Sequence, residues 1–386
     1  MRKFAYAYIL VIAFVLWNKI IYAQISLPTS GDNQKSSVTQ YMGIVSATVN
    51  YSSPDVHGLN GEDRTGHIWG ELVPYGFANL QFGISTDANP SPWRAGANEN
   101  TTMTFSHDVL IEGKKLAAGT YGFFIAPAEG DKEWVAIFSK KSTAWGSFSY
   151  EQKDDALRVN VKPQTSEYHE WLTYEFIDRK PDACVVALKW ENKSIPVKIT
   201  VPDMNEVYFR QLSKELEDSP GFDYNNYANA ALFLAQNKIH LDKALLWADE
   251  AMTGGTYAFT ARKDFTTMSA KATVLDSMGR HEEAKTLMTE AMNDASAPML
   301  AVHFYGRGLQ AQKKNAEALE VFKINHKKHP DDPVTNLGLA RGYSAMLDFK
   351  NAKKYVEAAL ALNPNPQVKA TLEDAKKKLA EGKDFN

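Results

Sequence analysis

ALEVFKINHKKHPDDPVTNLGLARGYSAMLDFKNA, residues 318–352, holds one full period of the C-terminal half of the chain. Ala284 lies 34 residues before Ala318, and Ala352 lies 34 after it. Four residues beyond each alanine stand Met288, Phe322 and Val356, and seven beyond stand Ala291, Asn325 and Ala359. Pro330 and Pro364 follow a further five residues on. Apolar positions at this spacing mark helices, and small residues between them mark where paired helices cross closely. Ala244, Ala248 and Ala251 form an earlier copy, set 40 residues ahead of Ala284 by an insertion near 253–256. The period predicts helix pairs stacked side by side, each burying a face that none buries alone.

Upstream the apolar period changes to two. Val45, Ala47, Val49 and Tyr51 alternate with Ser46, Thr48 and Asn50, the pattern of a half-buried strand. Leu157, Val159 and Val161 repeat it, as do Leu172, Tyr174 and Phe176. Further strands are predicted over 101–105, 108–112, 120–126, 133–139, 183–191 and 194–201. Three short signals, Glu112-Gly113-Lys114, Glu129-Gly130-Asp131 and Glu191-Asn192-Lys193, read as hairpin turns. Short links between successive strands require antiparallel neighbours. The expectation is a multidomain β plus α chain: an all-β antiparallel sandwich or jelly-roll-like domain over 38–203, then an all-α repeat domain over 204–386, with about four helix pairs and a capping helix. The Gly-, Pro- and Asn-rich span 52–100 reads as long ordered loops.

The first residues carry a separate signal. Arg2 and Lys3 precede an apolar run from Ile9 to Trp17, and Tyr22-Ala23 comes before Gln24. This order predicts a secretory signal over 1–23 and a periplasmic or secreted product, with 24–37 a flexible lead-in. An uncleaved anchor is the other reading; after cleavage no stable membrane span is expected. Losing Arg2, Lys3 and Lys19 takes the net charge from −3 to −6, a poor match to nucleic acid phosphates. A single cysteine, Cys184 in the apolar run ACVVAL, excludes an internal disulfide and reads as a small buried hydrophobe. Within the repeats, 204–298 carries 9 basic against 14 acidic residues and 299–386 carries 15 against 10.

No complete catalytic motif is present. His169-Glu170 and His281-Glu282 lack the second histidine of a zinc protease, and Gly83-Ile84-Ser85-Thr86-Asp87 lacks the second glycine of a nucleophile elbow. His57 and His67, with Asp55, Glu62 and Asp63, are weak metal candidates whose spacing fits no ligand template; no cofactor is expected. Trp93, Arg94, Asn98 and Glu99 put an aromatic platform, a forked cation, an amide and a carboxylate within seven residues. They suit the grip of a polar ligand, or equally an Arg94–Glu99 pair that holds its own loop in shape.

IWGELVPYG (68–76), WRAGANENT (93–101), EGKKLAAGTYGFFIAP (112–127), WGSFSY (145–150), DALRVNVKP (155–163) and EYHEWLTYEF (167–176) together resemble the bacterial family catalogued as domain of unknown function 2911, over about 33–203. The resemblance implies an exported protein of Bacteroidetes-like bacteria and implies no activity. The 34-residue period, over about 210–383, resembles the tetratricopeptide repeat, with Gly306, Leu339 and Tyr343 where that pattern expects them and its first tryptophan missing. That resemblance implies that the first helix of each pair lines a concave, protein-binding face. Arg307 and Arg341 then fall at equivalent places, with His303 one turn before Arg307, a set suited to an acidic or C-terminal peptide segment. The function expected is an exported cell-envelope binding or scaffolding protein, with a β-domain for an unknown ligand and repeats for a protein or peptide. The alternative is a periplasmic hydrolase with an acid–base site around Glu99, helped by His107 or another carboxylate.

Overall fold

The computed structural model describes residues 33–58, 60–255 and 260–386; the signal segment and the first part of the lead-in lie outside them. The chain divides into two compact units between Met204 and Asn205.

The first unit holds ten strands: β1 Gln34–Met42, β2 Val45–Ser53, β3 Thr102–Phe105, β4 Val109–Ile111, β5 Lys114–Leu116, β6 Gly119–Ala126, β7 Trp134–Ser139, β8 Asp155–Val161, β9 Gln164–Lys180 and β10 Ala183–Thr200. They form a six-stranded sheet in the order β1-β2-β3-β6-β7-β8 and a four-stranded sheet in the order β5-β4-β10-β9. Every strand pair is antiparallel. The two sheets meet through interleaved rings. Tyr174 of β9 packs 4.8 Å from Tyr51 of β2 and 6.4 Å, edge-on, from Phe123 of β6. Offset and edge-to-face rings of this kind add to the burial they share.

Two expectations are corrected here. Residues 34–37 are not part of a flexible lead-in: they pair with 50–53 as the first half of β1, because the alternation of β2 offers a full ladder to their backbone. Glu191-Asn192-Lys193 does not reverse the chain. Residues 183–200 run as one strand, and Glu191, at φ 52°, makes a bulge opposite His169. The buried Glu191 carboxylate accepts from the Gly66 amide at 2.6 Å, so the left-handed residue redirects a side chain rather than closing a turn. Glu112-Gly113, at φ 48° and 78°, does close the β4–β5 hairpin, as two left-handed residues in succession should. The span 54–101 is loop, fastened by isolated bridges such as Asp55 to Trp171 and Trp93 to Ile125.

The second unit is helical: α1 Met204–Leu216, α2 Tyr224–Asn237, α3 Leu241–Thr253, α4 Phe265–Ser277, α5 His281–Asn293, α6 Met299–Ala311, α7 Asn315–Lys328, α8 Pro333–Ala345, α9 Phe349–Ala361 and α10 Pro366–Ala380. Helices α4, α6 and α8 start at 265, 299 and 333, and α5, α7 and α9 at 281, 315 and 349, so both series step by 34. Ala318 and Ala352 are wholly buried and Ala284 nearly so. Their neighbours are as small as the packing demands: a Cβ on Gly306 would lie 2.5 Å from the Phe322 ring, and one on Gly338 2.8 Å from it. Asn325, standing where its repeat-mates have alanine, is buried and donates through Nδ2 to the Met299 carbonyl at 2.9 Å. Starts are marked chemically. Asp332 accepts from the amides of Val334 and Thr335 ahead of Pro333, and Asp264 closes a capping box with Thr267.

Candidate functional site

The four residues of the 93–99 loop do not converge on one cavity. Trp93 exchanges backbone hydrogen bonds with Ile125 and stacks on Trp190 at 6.1 Å, with Trp69 edge-on at 5.7 Å. Trp69 in turn meets Trp134 at 5.1 Å, and the indole N–H groups of Trp69 and Trp190 are buried without partners among the described residues. Arg94 lies over the Phe148 ring and donates to the Asn98 carbonyl at 2.8 Å; burial holds its guanidinium below its ordinary value. Glu99 pairs not with Arg94 but with Lys35 at 2.7 Å, and Ser52 also donates to it. Asn98, at φ 54°, accepts from Asn33. Arg94 thus staples its loop, and the Lys35 hydrogen bond holds the Glu99 carboxylate below its usual range, ionised and unsuited to donate a proton. His107 pairs with Ser106. Cys184 is buried, its thiol pushed up to about 11 by burial, which leaves it inert.

His57 and His67 answer to different carboxylates. His67 sits 3.0 Å from Glu71, while His57 Nδ1 lies 2.8 Å from Glu170 and its Nε2 3.4 Å from Asp63. Among the described residues no group of three or more such side chains is arranged to hold a metal ion. Tyr168 also donates to Glu170, and the His57 amide does so at 2.8 Å. Against its own desolvation, these donors hold Glu170 down to about 2, and the same bond lifts the Tyr168 phenol to about 12. In the sequence Glu170 stands out only beside His169 as half of a zinc motif, and Tyr168 only within the EYHEWLTYEF stretch, so neither signals this cluster. The cluster ties the 55–67 loop to β9. Hydrogen bonding to Glu170 raises His57 above 6.5, so this tie favours the fold below the unfolded histidine value and loses strength as pH climbs through the raised one. The His57 ring should therefore titrate above 6.5 by NMR, and Glu170→Gln should lower that midpoint. An unchanged midpoint in that variant would contradict the pairing.

The repeat residues do come together. On α6, Leu300, Phe304 and Arg307 are exposed, Leu300 and Phe304 by 50% and 66%, and the i, i+4, i+7 spacing puts them on one face. Among the described residues Arg307 has no hydrogen-bonding partner. His303 does not join a cationic ladder: it is 6% exposed, and burial, reinforced by Arg307 and Arg341, pushes its imidazole down to about 4. It is neutral at pH 7, a polar floor beneath two cations. Arg341 on α8 is largely enclosed, and burial together with Arg307 lowers it to about 10, still charged. Its guanidinium lies 5.3 Å over the Phe385 ring and donates to Asn386 Oδ1 at 3.4 Å. Residues 384–386, which the sequence reading passed over, lie against this face.

No curated protein matches the chain. Residues 33–199 match the family described as "Protein of unknown function (DUF2911)", across both sheets and the loops that carry Trp93, Arg94 and Glu99. Over that span the β unit of this chain is similar to that family.

Proposed function

We propose that this chain is an exported cell-envelope binding protein whose helical repeats hold an acidic peptide segment of a protein partner. The observation that carries the reading is Arg307: an exposed residue without a partner among the described residues, flanked on one helix face by Leu300 and Phe304 and followed one repeat later by Arg341. Apolar side chains beside a forked donor suit a segment that alternates hydrophobic and carboxylate groups. The basic excess of 299–386 draws such a segment toward this end of the array. Export rests on residues 1–23, with cleavage between Ala23 and Gln24; a mature species that retains Met1 in its native host would contradict the cleavage. No observation favours the hydrolase reading.

An array of acidic octapeptides tests the proposal. The full chain should retain a subset of them, and Arg307→Ala should lower that retention at least tenfold with the melting temperature unchanged, since Arg307 is exposed and unpaired. Equal retention by the well-folded variant would remove the idea. Arg341→Ala is the poorer probe, because it also exposes the Phe385 ring.

A further inference from the structure

The end of α10 does not lead away from the repeats. After Gly382, at φ 70°, the chain turns back, and residues 384–386 settle against α8. Each of the three is recognised separately. Ser344 donates to the Asp384 carboxylate at 2.5 Å, and the Phe385 amide donates to the Ser344 hydroxyl at 3.3 Å. The Phe385 ring, 6% exposed, joins the buried apolar cluster that includes Leu337, Ala340 and Leu372, and Arg341 lies over it. The Asn386 amide is read on both sides: its Nδ2 donates to the Arg341 carbonyl at 3.1 Å, and its Oδ1 accepts from Arg341 and from Gln310 of α6, each at 3.4 Å.

These contacts follow the repeat. Gln310 and Ser344 are 34 residues apart, as are Arg307 and Arg341, so the segment lies along matched positions of two consecutive first helices. It engages the Arg341 position and stops short of Arg307, which keeps an open face. A segment that merely plugged the core would need Phe385 alone. Here a carboxylate, an aromatic ring and an amide each meet a dedicated partner, which is how a groove reads a peptide.

We propose that residues 384–386 are an intramolecular occupant of the repeat groove, and that the external ligand is a peptide segment of the same chemistry, acid–aromatic–amide, which must displace them. This rests on the peptide-binding reading above and adds its ligand class and its regulation. A tethered competitor is present at high effective concentration, so it weakens an external ligand of similar intrinsic affinity by a large factor. The three residues act as a latch over half of the site, with the Arg307 half left open for the first encounter.

The test uses the labelled peptide acetyl-Gly-Lys-Asp-Phe-Asn-amide and fluorescence anisotropy. Deleting residues 384–386 should tighten its binding at least tenfold relative to the full chain, and Arg341→Ala in the deleted chain should abolish it. Because Phe385 also fills the last core, a second variant, Asp384→Ala with Asn386→Ala, keeps the ring and should still tighten binding several-fold. Affinities within twofold of the full chain for both variants would overturn the latch, as would binding that survives Arg341→Ala. A full-length dimer that becomes monomeric on deletion would overturn it too, by showing that the segment serves a second copy. The two readings fail separately: unchanged affinity on deletion, with acidic peptides still lost in Arg307→Ala, removes the latch alone, whereas an Arg307→Ala variant that keeps them removes the peptide-binding reading itself.

Discussion

Phe322→Ala is expected to destabilise the helical unit by about 3–5 kcal/mol, the range for truncating a fully enclosed aromatic side chain. Phe322 is 1% exposed and lies where α6, α7 and α8 converge. Its ring sits where Gly306, Gly338 and Gly342 leave room, with Cβ positions on those glycines only 2.5–3.1 Å from ring atoms. His303 lies 5.6 Å away and closes one edge. Two helix backbones held at that distance by one ring cannot collapse to fill the space, so the cavity term should be near its maximum. Calorimetry should show the transition of the helical unit falling sharply while that of the β unit stays in place. If both transitions moved together, the two units would not be thermodynamically separate. A shift of only a degree or two would show that the ring is not the keystone of α6, α7 and α8.

The second large effect is expected in the β unit. Trp190→Ala should cost about 3–5 kcal/mol, and it should also loosen the loops that carry Trp69 and Trp93. Trp190 is 1% exposed and stacks on Trp93 at 6.1 Å with Trp69 edge-on at 5.9 Å. It stands beside the Glu191 bulge, whose carboxylate holds the Gly66 amide. Loss of the indole removes the platform on which two long loops rest, because neither loop has a ladder of its own. Hydrogen exchange should rise at 66–73 and 93–97 before it rises in β6 or β7. Protection unchanged in both loops would mean that their isolated bridges, not the tryptophans, hold them.

What the sequence discloses follows from how local each signal is. The helix pairs were legible because Ala284, Ala318 and Ala352 recur at a spacing set by packing between neighbours in the chain, and Met288, Phe322 and Val356 repeat it. Strand alternation was legible for the same reason at Val45–Tyr51 and Leu172–Phe176. Glu191-Asn192-Lys193 misled because one left-handed residue serves a turn and a bulge alike. The choice was made by Gly66, 125 residues away. Residues 34–37 look like a polar lead-in until β2 supplies the partner ladder. Arg94 and Glu99 have the composition of a ligand grip, yet Lys35 takes the carboxylate and the Asn98 carbonyl takes the guanidinium. Within the repeats, the arginine spacing was visible, but the burial of His303 and the return of Phe385 were not. Both depend on contacts across helices that no period encodes.

On the peptide-binding reading, an external peptide lies on the exposed face of α6 beside Arg307. Photo-crosslinking tests it most directly, with benzoylphenylalanine placed at Phe304, one turn from Arg307 on that face, and a control probe at the exposed Leu246 of α3. An acidic peptide retained by the full chain should be captured from position 304 and not from position 246, and capture should vanish when Arg307→Ala is added. Capture from 246 alone, or equal capture from both positions while the peptide is bound, would contradict the claim.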